Sequence, residues 1–290
     1  MFNSTNKLSD IKKEAVLKLK ELYSQREAEN MLNLLIHHYF NMTRASQQLQ
    51  PDKRLSESEM LLLHIAVKRL LNAEPLQYIL GSTEFYGLQL EVGPEVLIPR
   101  PETEELVDMI IKETPNENLS VLDVGTGSGC IALALKSVLT RNRVTAVDIS
   151  EQALAVARKN AQKMNIDVDL RQCDILNTNE CLQVLPRNFQ VIVSNPPYVL
   201  KQEKVQMSDN VLQYEPYLAL FVENDDPLVF YRKIILLAKK VLRSGGKIYC
   251  ELNENYAKET ASLFDEDIFD IPEILTDIHG KNRFLITRMH

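Results

Sequence analysis

Glycine and cysteine are both scarce in this chain, and their distribution excludes several kinds of protein. No glycine occurs before Gly81, and the four cysteines show no C-x-x-C spacing, which argues against a zinc site or a disulfide framework. The chain has no run of about eighteen apolar residues, and its N-terminus lacks the apolar stretch of a signal peptide. We therefore expect a cytoplasmic protein in a reducing compartment, with no membrane segment and no bound metal.

Basic residues are fewer than acidic residues in this chain, 33 against 40. The chain of 290 residues has a net charge of −7, and its 45% hydrophobic and 25% charged residues are ordinary for a folded globular protein. Residues 1–75 have a balance of +2, which leaves −9 for the remainder. Proteins that bind mainly through phosphate contacts usually carry a basic surface, so we expect no direct nucleic-acid partner.

Apolar residues recur at helical spacing before residue 75. Ser56 and Glu59 form the pattern of a capping box at the start of the third predicted helix, and Pro75 ends that helix. The predicted apolar stripes are Ile11, Ala15, Leu19 and Leu22; Met31, Leu35 and Tyr39; and Leu62, Ile65, Ala66 and Leu70. We expect an all-α domain over residues 1–80.

The next twenty residues change character. Residues on both sides of Gly87 alternate between apolar and polar, which predicts a β-hairpin, and we interpret residues 81–100 as a linker between two domains. In the segment IPRPETE at residues 98–104, two prolines fix an extended path, and Thr103 can begin a helix.

From about residue 119 the pattern alternates between strand and helix. Strands are predicted at residues 120–124, 144–147, 168–171, 190–193 and 246–249, with helices at residues 131–139 and 151–164. Alternation of this kind indicates an α/β domain with a mostly parallel sheet and helices on both faces, and we place it at residues 101–290. Ligands of such sheets collect at the carboxyl ends of the strands.

A glycine-rich turn directly follows the first of these strands. Its spacing, G-x-G-x-G, differs from the dinucleotide fingerprint because Cys130 stands where the third glycine should be. Asp148 ends the next strand, where a carboxylate can accept both hydroxyls of a ribose. Asp174 can bind an exocyclic amino group and Ile175 can cover an adenine face. The predicted turn residues are Gly125, Thr126, Gly127, Ser128 and Gly129. Together they favour an adenosine-containing ligand over a tight turn without one.

The motif Ser194-Asn195-Pro196-Pro197-Tyr198 follows the strand at residues 190–193. Two consecutive prolines stiffen the turn and donate no backbone hydrogen bond. The side-chain carbonyl of Asn195 and the backbone carbonyl of Pro196 can each accept one N–H of a planar NH2 group, and Tyr198 can stack on it. Such a group is a poor nucleophile because its lone pair is delocalised, so we predict that these residues orient it towards a methyl donor.

At these residues the chain resembles the release-factor glutamine methyltransferases, the PrmC/HemK family. The resemblance also covers residues 75–81, 85–87, 98–104, 214–216, 250–252 and 277–283. The segment at residues 98–104 separates this family from the DNA amino-methyltransferases that share the Asn-Pro-Pro-Tyr turn. The chain departs from the family pattern at Ile175, at residues 224–227 and at Asn253.

The resemblance implies a class I S-adenosylmethionine-dependent methyltransferase. Its fold would be a Rossmann-like, mostly parallel seven-stranded sheet, preceded by a small helical bundle and a hairpin linker. The cofactor would be S-adenosylmethionine, with S-adenosylhomocysteine as product, bound by the glycine turn, Asp148, Ile175 and Asn195, to which the reasoning above adds Asp174. The substrate would be the glutamine of the Gly-Gly-Gln loop in class-one peptide-chain release factors.

The resemblance also assigns residues to this substrate. The predicted catalytic and substrate-binding residues are Asn195, Pro196, Pro197 and Tyr198, joined for substrate binding by Arg100 and Glu102. Three alternatives stay open: a glutamine methyltransferase acting on a ribosomal protein, an adenine amino-methyltransferase of DNA or RNA, and an inactive module that binds S-adenosylmethionine.

Overall fold

A computed structural model describes residues 6–290, which form two compact units. The first unit contains the described residues up to Gly81 together with Ser208–Tyr214, and the second contains Ser82–Met207 and Glu215–His290. Among residues 6–290, no helix combines the length and apolar character needed to cross a membrane. The helices of the first unit are α1 (Leu8–Leu19), α2 (Gln25–Phe40), α3 (Arg44–Leu49), α4 (Glu57–Leu71), α5 (Leu76–Leu80) and α10 (Asp209–Tyr214).

The predicted capping box opens α4. The Ser56 hydroxyl accepts from the backbone N–H of Glu59 at 3.3 Å, and the Glu59 carboxylate accepts from the backbone N–H of Ser56 at 2.7 Å. The helix ends at Leu71, before the predicted stop at Pro75, and Pro75 instead precedes α5. The short helices α3 and α5 were not predicted, because five or six residues are too few to show a period.

The predicted apolar stripes are only partly right. In α1, Ile11, Ala15 and Leu19 are buried, but Leu22 lies beyond the helix end and is exposed. In the second stripe Leu35 is buried, while Met31 and Tyr39 are partly buried. In α4 the prediction of Leu62 and Ile65 was wrong: both are about half exposed, and the buried residues are Leu63, Ala66, Val67 and Leu70. Residues 60–67 are apolar almost all round, so periodicity alone could not select the buried face.

The predicted hairpin is confirmed. Strands β1 (Ser82–Phe85) and β2 (Leu88–Glu91) pair antiparallel, and the two turn residues, Tyr86 and Gly87, both have positive φ. Such a turn matches the twist of the strands it joins. Phe85 and Leu90 are buried in the core of the second unit.

The second unit is built on a seven-stranded, mostly parallel sheet, which confirms the predicted fold class. The strand order is β10-β11-β9-β6-β3-β4-β5, in which β11 runs antiparallel to both its neighbours and the remaining pairs are parallel. The strands are β3 (Ser120–Val124), β4 (Arg143–Asp148), β5 (Asp169–Gln172), β6 (Phe189–Ser194), β9 (Leu242–Glu251), β10 (Glu273–Thr276) and β11 (Asn282–Arg288). A short parallel pair, β7 (Val199–Leu200) and β8 (Phe221–Val222), lies outside this sheet.

Helices cover both faces of the sheet and bury one apolar cluster on each. Helix α6 begins at Pro101 and not at Thr103, because proline suits the first helical position, where no N–H is needed. The helices of this unit are α6 (Pro101–Glu113), α7 (Cys130–Val138), α8 (Glu151–Met164), α9 (Thr178–Val184), α11 (Tyr217–Leu220), α12 (Val229–Val241) and α13 (Ala257–Ala261).

The strand order reverses at β3. From β3 the chain moves outward to β4 and β5 and then returns to place β6 on the other side of β3. At such a switch point the connections leave in opposite directions, so a crevice opens at the carboxyl ends of β3 and β6. The glycine turn and the Asn-Pro-Pro-Tyr turn both begin there.

Gly129, at the start of α7, gives a stability prediction. Its φ is +82°, and a Cβ there would lie 3.1 Å from Leu133 Cδ1 and 3.2 Å from Ala157 Cβ. We expect Gly129→Ala to lower the free energy of unfolding by about 1–2 kcal/mol for the left-handed backbone and by about 1–3 kcal/mol more for overpacking. Chemical denaturation of Gly129→Ala measures the sum of these two losses.

Gly280→Ala is the matched control, since Gly280 has a φ of +78° and open space around a new Cβ. Equal losses in the two variants would show that α8 does not restrict position 129.

Candidate functional site

A cavity of about 380 Å³ lies at the carboxyl ends of β3, β4 and β6. Its size falls in the range of small-molecule sites, which are commonly 300–1,000 Å³. It is lined by residues 94–97, Val124, Gly125, Gly127, residues 147–150, Gln152, Ala153, residues 173–176, residues 194–197, residues 216–219, Phe230 and Ile234. Most of this lining is apolar, with a few polar groups between the apolar side chains.

The glycine turn forms one wall of the cavity. The backbone N–H groups of Gly125 and Thr126 both donate to the carbonyl of Val147 at 2.9 Å, which fastens the turn to β4. Gly125 and Gly127 have φ values of +76° and +53°, and a Cβ on either would stand in open space. A ligand in the cavity can therefore approach this backbone closely.

The other predicted turn residues, Thr126, Ser128 and Gly129, do not line the cavity. The Thr126 hydroxyl donates to Asp123 Oδ2 at 2.6 Å. The Ser128 carbonyl accepts from Asn160 Nδ2 at 3.0 Å, and Gly129 precedes the first residue of α7. Their contacts with Asp123 and Asn160 hold the turn in place without facing the ligand.

Asp148 lies in the cavity wall at the end of β4. Its Oδ2 accepts from the backbone N–H of Gly127 and its Oδ1 from that of Ser150, both at 2.9 Å. Each carboxylate oxygen keeps a second lone pair, so the two oxygens can still accept hydrogen bonds from two hydroxyls. Burial raises the pKa of Asp148 above its usual range, and the backbone donors Ser150 and Gly127 oppose that shift.

Asp174 and Ile175 line the cavity beyond the end of β5. Asp174 Oδ1 accepts from the backbone N–H of Leu176 at 2.8 Å, which leaves Oδ2 for another donor. Ile149, Ile175 and Leu176 add branched apolar side chains to this part of the wall. The arrangement suits a flat heterocycle that carries an amino group.

Asn195, Pro196 and Pro197 line the cavity next to the glycine turn. The Asn195 Nδ2 donates to the hydroxyl of Thr103 at 3.1 Å, and that hydroxyl donates to Glu251 Oε2 at 2.8 Å. The amide nitrogen is thus engaged with the protein, and the amide oxygen Oδ1 is left as an acceptor. Thr103 and Glu251 are not among the predicted site residues: the sequence marks Thr103 only as a helix start, and Glu251 is the last residue of β9.

Tyr198 lies in the same motif but outside the cavity lining. Its hydroxyl donates to Glu251 Oε1 at 2.8 Å, and its backbone carbonyl accepts from Asn253 Nδ2 at 3.0 Å. Burial raises the pKa of Glu251, while donation by Tyr198 and Thr103 and the charge of Arg283 lower it. The stacking role of Tyr198 stays a prediction.

Arg100 and Glu102, predicted to bind substrate, also lie outside the cavity lining. Arg100 Nη2 forms an ion pair with Glu215 Oε1 at 2.6 Å, and Glu215 Oε2 accepts from the backbone N–H of Ile98 at 3.2 Å. The Glu215 side chain is 1% exposed. These bonds join the segment that follows wall residues 94–97 to the residue that precedes wall residues 216–219.

Comparison with known proteins agrees with this geometry. A family profile described as "Methyltransferase domain" matches residues 115–277, and one described as "PrmC N-terminal domain" matches residues 10–81. A release factor glutamine methyltransferase of Flavobacterium psychrophilum is 41% identical over 271 residues, which are 92% of this chain and 94% of that protein. One of Bacteroides thetaiotaomicron is 41% identical over 92% of this chain and 95% of that protein.

The chain belongs to the release factor glutamine methyltransferase family. It is an S-adenosylmethionine-dependent methyltransferase, as the family profile and these relatives indicate. Among solved structures, a methyltransferase from Pyrococcus furiosus superposes with a TM-score of 0.52 at 21% identity, covering 70% of this chain and 89% of that one. That likeness concerns the fold alone.

The residues of this family member fit its cofactor. The two glycines leave open space along one wall, Asp148 keeps free lone pairs for a ribose, and the region around Ile175 offers apolar surface with a carboxylate beside it. We propose that Gly125, Gly127, Asp148, Asp174 and Ile175 hold S-adenosylmethionine, with Thr126, Ser128 and Gly129 shaping the turn.

Asp148 gives a binding prediction. In Asp148→Asn the new NH2 group faces one of two backbone N–H donors, and the charge that strengthens the remaining bonds is lost. We expect the Kd for S-adenosylmethionine to rise about 10- to 100-fold, measured by calorimetry. Asp167→Asn is the control, because the same chemical change occurs there on an exposed residue. Unchanged affinity in Asp148→Asn would contradict the ribose assignment.

Asp123, beneath the glycine turn, gives a pH prediction. Burial raises the pKa of its carboxyl from 3.8 to about 7, against the opposing Thr126 hydroxyl. A carboxyl whose pKa is higher in the folded state stabilises the fold fully below its unfolded pKa and loses that contribution as pH rises through the folded pKa. Between pH 4 and pH 8 we therefore expect Asp123 to remove up to about 4 kcal/mol from the free energy of unfolding.

Asp123→Asn keeps the shape and removes the titration. Urea unfolding at several pH values measures the free energy of unfolding of both proteins. We expect the free energy of wild type to fall relative to that of the variant as pH rises from 4 to 8. A difference that is constant from pH 4 to pH 8 would mean that Asp123 titrates at its ordinary value.

Proposed function

We propose that the chain transfers a methyl group from S-adenosylmethionine to the side-chain amide nitrogen, N5, of a glutamine. The substrate glutamine is that of the Gly-Gly-Gln loop in class-one peptide-chain release factors. The names of the relatives, release factor glutamine methyltransferases that match almost the whole chain, support this substrate class.

The observation that carries the proposal is the orientation of the Asn195 amide. Its nitrogen is bound by Thr103, so its oxygen is the atom available to the cavity beside the glycine turn. A glutamine amide offers two N–H donors, and Asn195 Oδ1 and the Pro196 carbonyl can accept one each. Two acceptors at fixed positions hold the amide plane and direct its nitrogen.

The bound cofactor supplies an electrophilic methyl group on a positively charged sulfur. The protein has to position a weak nucleophile, because the amide lone pair is delocalised into the carbonyl. Holding the reacting atoms at about 3–3.5 Å can contribute about 7–11 kcal/mol through orientation alone. As the new C–N bond forms, the methyl–sulfur bond breaks and its electron pair stays on sulfur, which becomes neutral. The nitrogen becomes acidic and gives one proton to solvent, so no strong base has to be part of the site.

We propose Tyr198, Arg100 and Glu102 as further residues of the glutamine or loop site, and residues 1–80 as a helical domain that recognises the release factor. Within the second unit, Arg100 acts on the cavity through its ion pair with Glu215. A translation factor as substrate supports a cytoplasmic location. The net charge of −9 after residue 75 disfavours DNA or RNA as the polymer held at this site.

The test is transfer of label from S-adenosylmethionine to purified class-one release factor, with the modified residue located by mass spectrometry. We expect one methyl group on the Gly-Gly-Gln glutamine and none on a factor in which that glutamine is replaced by asparagine. Asn195→Ala should lower kcat by about 10²-fold or more, as loss of one oriented hydrogen bond at a reacting centre does.

Asn179→Ala is the matched control, because Asn179 is exposed on helix α9 away from the cavity lining. Label on a ribosomal protein but not on release factor would assign a different protein substrate. Label on DNA or RNA would assign an adenine methyltransferase, and cofactor binding without transfer to any of these would indicate an inactive module.

A further inference from the structure

We infer that Thr103 and Glu251 are positioning residues that decide which end of the Asn195 amide faces the substrate. The inference rests on the proposed function and deepens it, since it concerns how the acceptor for the glutamine amide is presented. Neither side chain lines the cavity, so both act through Asn195.

Three side chains form an unbroken line of hydrogen bonds into the protein. Asn195 Nδ2 lies 3.1 Å from Thr103 Oγ1, and Thr103 Oγ1 lies 2.8 Å from Glu251 Oε2. Thr103 is 2% exposed and Glu251 is 2% exposed, so water does not compete for these groups. The line connects three distant parts of the chain: the first turn of α6, the end of β9 and the turn after β6.

The direction of donation along this line follows from Glu251, the residue at its inner end. Donation by Tyr198 and Thr103 and the charge of Arg283 favour the ionised form of Glu251 against its burial. An ionised carboxylate has no hydrogen to give, so Glu251 Oε2 accepts and Thr103 donates its only hydroxyl hydrogen to it. The Thr103 oxygen can then only accept from Asn195. Of the two ends of the amide, only the NH2 end can donate, and the oxygen end is therefore turned towards the cavity.

Glu251 is itself held in place, so it cannot turn away from Thr103. Its other oxygen, Oε1, accepts from the Tyr198 hydroxyl at 2.8 Å, and its backbone carbonyl accepts from the Tyr231 hydroxyl at 3.0 Å. Tyr198 belongs to the same turn as Asn195. The buried carboxylate consequently fixes both the side chain of Tyr198, which anchors the turn, and the orientation of the Asn195 amide.

Polarity matters here because the two orientations of an asparagine amide have nearly the same shape. With Oδ1 towards the cavity, Asn195 accepts from the glutamine NH2. With Nδ2 towards the cavity, two sets of N–H groups face each other, and the glutamine cannot be held. Steric fit does not distinguish these orientations, whereas the hydrogen-bond line from Glu251 does.

The test compares Thr103→Val with Thr103→Ser. Valine has the shape of threonine and neither donates nor accepts, while serine keeps the hydroxyl. We expect Thr103→Val to lower kcat for release-factor methylation about 10- to 100-fold, and Thr103→Ser to remain within about threefold of wild type. The Kd for S-adenosylmethionine should stay within about twofold in both. Thr140→Val, at an exposed position, is the matched control.

Glu251→Gln is the second variant, and it keeps the shape of the carboxylate. A glutamine can offer either an oxygen or an NH2 group to Thr103, so it no longer imposes one direction on the line. We expect kcat to fall with little change in the melting temperature. In the Asn195→Ala background, where no amide remains to be oriented, Thr103→Val should cause no further loss.

Three results would overturn the inference. One is wild-type kcat in Thr103→Val or in Glu251→Gln. Another is an equal loss in Thr103→Val and Thr103→Ser, which would indicate a steric role. The third is a full additional loss from Thr103→Val in the Asn195→Ala background. If Thr103→Val does not fold, Thr103→Ser and Glu251→Gln decide between the same outcomes. Failure of the proposed function is separate, because wild type itself would then leave release factor unlabelled.

Discussion

The site depends on the register between two neighbouring parallel strands. Val124 at the end of β3 pairs with Ser194 at the end of β6, and the Ser194 hydroxyl donates to the Val124 carbonyl at 2.7 Å. The residues that follow these partners are Gly125 and Asn195, so the two turns leave the sheet side by side. A shift of one residue in this register would separate them and turn every side chain of a strand to the opposite face. The cofactor wall and the substrate acceptor are therefore adjacent as a consequence of sheet pairing.

Buried polar groups then fix the conformation of the two turns that the strand register places side by side. Asp123, Asn160 and Glu251 are all almost fully buried, and each bonds a turn at the site: Asp123 to Thr126, Asn160 to Ser128 and Glu251 to Tyr198. Burying such groups is costly unless they are hydrogen-bonded. Here each one bonds to a turn that carries function, which makes rigidity of the turn part of the stability of the fold.

Much of this could be predicted from the sequence, and the remainder could not, for identifiable physical reasons. Five strands of the sheet, the hairpin and the capping box follow from local sequence patterns, and they are present. Strands β10 and β11 have no such pattern, and the count of seven strands came from the family resemblance. The buried face of α4 was assigned wrongly, because Leu62 and Leu63 are equally apolar and only packing selects one of them. The same limit applies to Thr103 and Glu251, which are 148 residues apart in sequence and meet only when α6 and β9 are placed.

Arg100 shows a related limit. Its guanidinium binds a buried glutamate of the same unit, a contact that the sequence does not predict, and its role towards the substrate stays a prediction. Sequence places a charge in a segment but does not say whether the charge faces outward. The cavity walls at residues 94–97 and 216–219 were likewise not predicted: no motif marks the first, and the family resemblance at residues 214–216 reaches only the first residue of the second.

The bond between Arg100 and Glu215 has a consequence for how the cavity can diverge among relatives. The carboxylate of Glu215 accepts from the backbone N–H of Ile98 and from the guanidinium of Arg100, so the lining segments 94–97 and 216–219 share a single anchor. Insertions on one side displace that anchor and with it the opposite side. New specificities are therefore expected to arise by exchange of individual side chains between fixed backbones, and length changes should accumulate elsewhere on the surface.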